Sequence, residues 1–140
     1  MIKKILTPTD GSDTAKAAIE FARDVAMAEN AEVVVLGVIH AVQYGDTTTY
    51  DPIPDLTPEV EGIVADEVAT LAAAGVMASG KSVEGNDVAT TIVEQIAEQG
   101  ADVVVMGTHG RTGLARALIG SVADRVIRRS NVPVLLVPQK

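Results

Sequence analysis

Four glycines interrupt one short segment of the chain and leave its backbone open to a ligand. The segment is Gly107-Thr-His-Gly-Arg-Thr-Gly-Leu-Ala-Arg-Ala-Leu-Ile-Gly-Ser121, and it follows an apolar run that ends at Met106. Because glycine has no Cβ, backbone N–H groups can approach a phosphate closely and adopt positive φ. A helix that begins near Ser121 would add the positive end of its dipole and unpaired N–H groups. The segment therefore predicts a phosphate-binding loop, to which Arg111 and Arg116 could add charge.

The same segment has a simpler interpretation. Ser121-Val-Ala-Asp124 fits a helix-capping pattern, and Gly113 and Gly120 could serve only to permit turns. No Gly-Lys-Ser/Thr follows the glycines, so the loop is not a Walker A loop, and it is not Gly-x-Gly-x-x-Gly either. The residues of the segment alone leave both interpretations open.

A second loop, Thr7-Pro-Thr-Asp-Gly-Ser12, follows the first predicted strand. Asp10 could accept a hydrogen bond from a ligand hydroxyl, as an acidic residue does for ribose in dinucleotide-binding folds. Alternatively, Asp10 or Ser12 only caps the following helix.

Catalytic motifs are scarce. The chain has no cysteine, and His40 and His109 are its two histidines, so thiolate chemistry is excluded and a multi-His metal centre is disfavoured. Neither Gly-x-Ser-x-Gly nor His-Glu-x-x-His occurs. His109 could contact a phosphate or act as an acid or base, although a solvated loop histidine is the simpler interpretation.

Composition indicates one aliphatic α/β domain. The 140 residues are 47 % hydrophobic but only 2 % aromatic, and they carry a formal charge of −8. Such a valine- and alanine-rich core suits a parallel sheet covered on both faces. The negative charge disfavours nucleic acid as a partner. Because no segment predicts a membrane span or a signal peptide, we expect a cytoplasmic protein without membrane contact.

Hydrophobic periodicity predicts nine alternating elements. Strands are expected at 2–7, 32–39, 76–83, 103–106 and 133–137, and helices at 14–29, 57–74, 86–99 and 121–129. This β-α order predicts an open five-stranded parallel sheet with helices on both faces. In such a sheet, ligands bind at the carboxyl ends of the strands where the strand order reverses.

The stretch from 41 to 58 holds both tyrosines, Tyr44 and Tyr50, and no periodic apolar face. Because little burial would offset the entropy of ordering it, we expect a mobile flap beside the ligand. The tyrosines could cover a base or, as we favour, anchor the loop on the surface.

Taken together, these segments resemble the universal stress protein family, in its ATP-binding branch. Gly107-x2-Gly110-x9-Gly120-Ser121 has the spacing of that branch's nucleotide signature. Ile5-Leu-Thr-Pro-Thr-Asp-Gly-Ser12, the strand 33–40 and Ser130-Asn-Val-Pro-Val-Leu-Leu-Val137 also match. The resemblance covers the chain except for about 41–57, and it implies a Rossmann-like fold of the adenine nucleotide alpha hydrolase type.

The resemblance also implies a role for individual residues. The adenosine would be bound by Pro8, Thr9 and Asp10, with Asp10 on the ribose, by the Val38 backbone at the adenine edge, and by Met106 and Gly107. The phosphates, with Mg²⁺ nearby, would be bound by Gly110, Gly120, Ser121 and Val122. Ala123 stands where related ATP binders can carry a hydroxyl residue, which removes one candidate contact.

Three functions remain open at this point. The first is an ATP-binding regulatory protein of the stress response with at most slow hydrolysis, and the second is a nucleotide-hydrolysing enzyme on the same fold. The third is a nucleotide-free interaction module. Members of the family are commonly homodimers joined along the last strand, and the aliphatic run 133–137 suits such an edge.

Overall fold

The structure is a computed structural model that describes residues 1–40, 55–109 and 119–139. Its elements are β1 (Lys4–Thr9), α1 (Asp13–Glu29), β2 (Glu32–His40), α2 (Thr57–Ala73), β3 (Ala78–Gly85), α3 (Val88–Gln99), β4 (Val103–Gly107), α4 (Ser121–Arg129) and β5 (Val134–Val137). The predicted alternation is confirmed. Most of the expected flap, residues 41–54, lies outside the described residues, as do Gly110, Arg111, Gly113 and Arg116.

The strands form a parallel sheet in the order β3-β2-β1-β4-β5. The chain leaves β1 toward one edge for β2 and β3, then returns to the other side of β1 for β4 and β5. The strand order therefore reverses between β1 and β4, which is where an open α/β sheet binds its ligands. The expected five-stranded parallel sheet is confirmed.

Two apolar cores cover the two faces of this sheet. The first joins α1 and α2 to the sheet through Ile19, Val64 and Leu71, which are at most 5 % exposed. The second joins α3 and α4 to the opposite face through Ile92 and Val126. Helices therefore lie on both faces, as the aliphatic composition predicts.

The helix ends follow from local residue chemistry. The Ser12 side chain accepts a hydrogen bond from the Ala15 N–H and caps α1. Asn30 and Gly100 follow α1 and α3 in the left-handed conformation, at φ 55° and 65°, which ends a helix by satisfying its last carbonyls. Asn30 was predicted as such a terminator, and the structure confirms it.

The first strand lies two residues further along the chain than predicted, at Lys4–Thr9 instead of 2–7. Its expected end before Pro8 is wrong, because β1 continues through Thr9. Its pairing with β4 covers Ile5 and Leu6, whereas its pairing with β2 continues to Thr9 opposite Gly37. Pro8 therefore has no register partner on β4, so its missing N–H costs little on that side.

The third strand is displaced toward the carboxyl end relative to its prediction. It begins at Ala78 instead of Val76, whose side chain is 6 % exposed and packs into the core beneath the end of α2. β3 and β5 are the edge strands of the sheet. Over the described ranges, no helix combines the length and the apolar character that crossing a bilayer requires.

Candidate functional site

A cleft of about 340 Å³ opens at the carboxyl ends of β1, β2 and β4. It lies where β1 and β4 lose their mutual pairing and where the strand order reverses. Nine residues that the sequence predicts for the site line it: Pro8, Thr9, Asp10, Val38, Met106, Gly107, Gly120, Ser121 and Val122. The tenth, Gly110, lies outside the described residues. The fold thus brings together segments that are far apart in the chain.

The first turn of α4 borders the cleft with backbone donors that have no acceptor within the helix. Gly120 is the N-cap, with φ −62° and ψ 154°, and its N–H donates to the Thr108 carbonyl at 2.7 Å. The predicted start of α4 at Ser121 is confirmed, but Ser121 is the first helical residue and does not occupy the N-cap position of the capping pattern. The N–H groups of Ser121, Val122 and Ala123 have no acceptor within the helix, as at any helix start. They provide the donors and positive dipole end that favour an anion.

The described arginines of α4 pair with acidic side chains and do not line the cleft. The Arg125 guanidinium donates to both carboxylate oxygens of Asp87, one at 2.7 Å, and this hydrogen bonding holds the pKa of Asp87 well below its ordinary value. Arg128 pairs with Asp124 at 3.1 Å. The Asp87–Arg125 pair also ties the start of α3 to α4, which are two walls of the cleft.

Gly107 allows α1 to approach β4 closely at the base of the cleft. A Cβ at Gly107 would lie 2.9 Å from the Thr14 carbonyl oxygen and 3.0 Å from the Thr14 Cβ. The Thr14 hydroxyl also donates to the His109 carbonyl. Gly107 therefore has a packing role in addition to its predicted place beside the ligand.

His109 is half-buried and lines the cleft, and its Nδ1 lies 2.9 Å from the Thr108 hydroxyl. His109 lies in the loop after β4, as the sequence predicts. Asp10 and His109 are the titratable side chains among the described lining residues. The Asp10 carboxylate accepts from the Ser12 N–H at 2.9 Å, an arrangement that shapes the turn after β1.

One wall of the cleft was missed by the sequence analysis. It is apolar and consists of Ala15, Leu36, Val88 and Ile92, with Ala123 beside them. Val88 and Ile92 are one turn apart at the start of α3, a spacing that core residues share, so nothing in the sequence marks them as ligand contacts. The cleft thus combines an apolar lining with the backbone donors of the first turn of α4.

The described residues contain no group of three or more His, Asp or Glu side chains arranged to hold a metal ion. Mg²⁺ does not need such a group, because it usually binds through few protein groups and the phosphates of its ligand.

An open parallel sheet with a donor-lined cleft at its switch point defines an α/β protein of the doubly wound class. Residues 1–138 match the model of the universal stress protein family. The chain belongs to this family.

Individual relatives agree over nearly the whole chain. The universal stress protein MJ0531 of Methanocaldococcus jannaschii is 37 % identical over 98 % of this chain and 82 % of its own. The solved structure of MJ0577, from the same organism, superimposes with a TM-score of 0.85 at 32 % identity, covering 100 % and 98 % of the two chains. A universal stress protein solved in complex with cAMP gives 0.76 at 28 % identity, covering 99 % and 98 %.

Proposed function

We propose that this chain is a cytoplasmic, ATP-binding regulatory protein of the stress response. The main support is the convergence of Pro8, Asp10, Val38, Gly107 and Ser121 on one cleft at the switch point of the sheet. The apolar wall suits a base and the α4 N-terminus suits phosphates. A relative with cAMP bound shows that this fold can hold an adenine nucleotide in another member of the family.

The proposed binding mode divides the cleft in two. The base lies against the apolar wall with its edge at the Val38 backbone, and Asp10 accepts from the ribose. The phosphates meet the N–H groups of Ser121 and Val122, and Mg²⁺ accompanies them, where it would offset the triphosphate charge. We expect at most slow hydrolysis, because, of the two described lining groups that could activate water, Asp10 is assigned to the ribose and His109 has its Nδ1 beside the Thr108 hydroxyl.

ATP with Mg²⁺ is expected to stabilise the folded protein. Saturation at about 100 times Kd should raise the free energy of unfolding by about 2.7 kcal/mol, since the ligand binds only the folded state. Thermal unfolding with increasing ATP–Mg²⁺ measures this effect.

GTP–Mg²⁺ is the matched control. It carries the same phosphates but a carbonyl where adenine has its amino group, so a smaller shift is expected if the Val38 backbone contacts that edge. An unchanged melting temperature with ATP would contradict the proposal, and equal shifts would contradict adenine selectivity.

We also propose a homodimer joined along β5. This strand is an edge of the described sheet, and Leu135 remains 38 % exposed on it. A short aliphatic edge leaves a row of backbone donors and acceptors that a second copy would satisfy.

Leu135→Lys is expected to shift the protein toward monomer at micromolar concentration, because it places a charge in the joined edge. Met77→Lys is the control, since Met77 is 67 % exposed just before the opposite edge strand. Sedimentation velocity separates the two states. A monomeric parent protein would rule out the dimer.

A further inference from the structure

A buried carboxylate on α2 reaches the turn that borders the cleft. Glu67 is 8 % exposed, and it is the only acidic or basic residue buried among the described residues. Its Oε1 accepts from the Thr9 hydroxyl at 2.9 Å. The Thr9 Oγ1 in turn accepts from the Gly11 N–H at 3.1 Å. Two hydrogen bonds thus connect α2 to the turn after β1.

The turn after β1 contains Asp10, the predicted ribose contact. Gly11 has φ 78°, a conformation that most residues avoid. The turn is held from one side by the Thr9 hydroxyl and from the other by the Asp10 carboxylate on the Ser12 N–H. The direction of the Asp10 side chain therefore depends on the geometry that Thr9 sets.

Close packing of α2 on the sheet allows Glu67 to reach Thr9. Thr9 pairs in register with Gly37 of β2. A Cβ at Gly37 would lie 2.5 Å from Val60 Cγ1 and 2.7 Å from Val64 Cγ2, so glycine lets α2 approach the strand. Glu67 follows Val64 by three residues and so lies on the same face of the helix.

The buried position of Glu67 disfavours an ionised carboxylate. Glu67 Oε2 is buried and has no hydrogen-bond partner among the described residues. Burial raises the pKa of Glu67, while the Thr9 hydroxyl and Lys16 on α1 lower it and Asp10 and Asp66 raise it. A second groove, lined by residues of α1 and α2, contains Glu20 as well as Glu67. An apolar residue would fill the same space without this cost.

We infer that Glu67 is a positioning residue of the nucleotide site: through Thr9 it holds the Thr9–Gly11 turn, and with it Asp10, in the geometry that receives the ribose. This inference rests on the proposed function for its ligand. Its structural part concerns the ligand-free protein and can be tested without nucleotide.

The first experiment follows the Gly11 amide by NMR from pH 4 to pH 8 without ligand. Ionisation of Glu67 strengthens its bond to the Thr9 hydroxyl and so changes the acceptor of the Gly11 N–H. We expect a Gly11 shift with a midpoint above 4.5, the ordinary value for glutamate, and the loss of that component in Glu67→Gln. The Gly75 amide, which donates to the Ala72 carbonyl at the end of α2, is the internal control. An identical Gly11 titration in Glu67→Gln would overturn the inference.

The second experiment compares ATP–Mg²⁺ affinity and stability in variants. Glu67→Met removes the acceptor for Thr9, and we expect about three- to tenfold weaker binding, the effect of one lost hydrogen bond. Folding stability should change little, because removal of the buried carboxylate offsets the Thr9 hydroxyl left without an acceptor. Glu67→Gln retains an acceptor oxygen and should restore Kd to within about twofold of the parent. Asp66→Asn removes a neighbouring charge outside the network and is the control.

The outcomes are distinguishable. Parental affinity in Glu67→Met, or a loss of affinity that only follows a loss of stability, would overturn the positioning role. If the parent itself does not bind ATP, the proposed function fails, and the Gly11 titration still decides whether Glu67 sets the turn.

Discussion

Gly120→Val is expected to weaken ATP–Mg²⁺ binding by at least about tenfold, because hydrogen bonds to charged groups each contribute about 1.5–3 kcal/mol. Gly120 is buried at the start of α4, and a Cβ there would lie 3.0 Å from the Thr108 carbonyl oxygen. A branched side chain must therefore displace the first turn of α4 or the Thr108–His109 backbone. Either shift moves the donors of Ser121 and Val122 away from the phosphates.

The Gly120 dihedral angles are accessible to other residues, so the fold should persist in this variant. Gly62→Val is the matched control, because a Cβ at Gly62 on the exposed face of α2 meets nothing within 4 Å. Calorimetric titration of both variants measures the effect. Parental affinity in Gly120→Val would show that the start of α4 does not bind the phosphates.

Gly107→Ala is expected to lower the free energy of unfolding by about 1–3 kcal/mol, the usual cost of an added methyl group in a packed core. The new Cβ would lie 2.9 Å from the backbone carbonyl oxygen of Thr14, so the first turn of α1 must move. Urea denaturation measures the change.

The opposite sign is expected for the control Gly62→Ala. This glycine lies inside α2 with free space around it, and alanine favours a helix interior over glycine by up to about 1 kcal/mol. A Gly107→Ala variant as stable as the parent would mean that α1 and β4 are not in close contact at this point.

The sequence predicts the order of elements because each carries its own periodicity. Buried runs such as 33–36 are typical of central parallel strands, and Asn30 and Gly100 mark helix ends. The errors in the predicted elements lie at the ends of strands, where tertiary packing and strand pairing determine the boundary. Pro8 remains in β1 because the pairing with β4 has already ended, and Val76 is buried beneath α2 outside the strand.

The location of the site is predictable because its loops follow the carboxyl ends of strands. Loops after β1 and β4 meet because the carboxyl ends of parallel strands share one edge of the sheet. The apolar wall at Val88 and Ile92 is not predictable, because its pattern is that of any core helix. The bond between Thr9 and Glu67 is also invisible, since it joins residues 58 positions apart in the chain.

Native mass spectrometry of the gently purified protein tests ATP binding most directly. We expect a bound mass equal to ATP, or its appearance after incubation with ATP–Mg²⁺, and a clearly smaller bound fraction in Gly120→Val at an ATP–Mg²⁺ concentration near the parent Kd. A parent protein that remains free of adenine nucleotide after incubation with saturating ATP–Mg²⁺ would contradict ATP binding at this cleft.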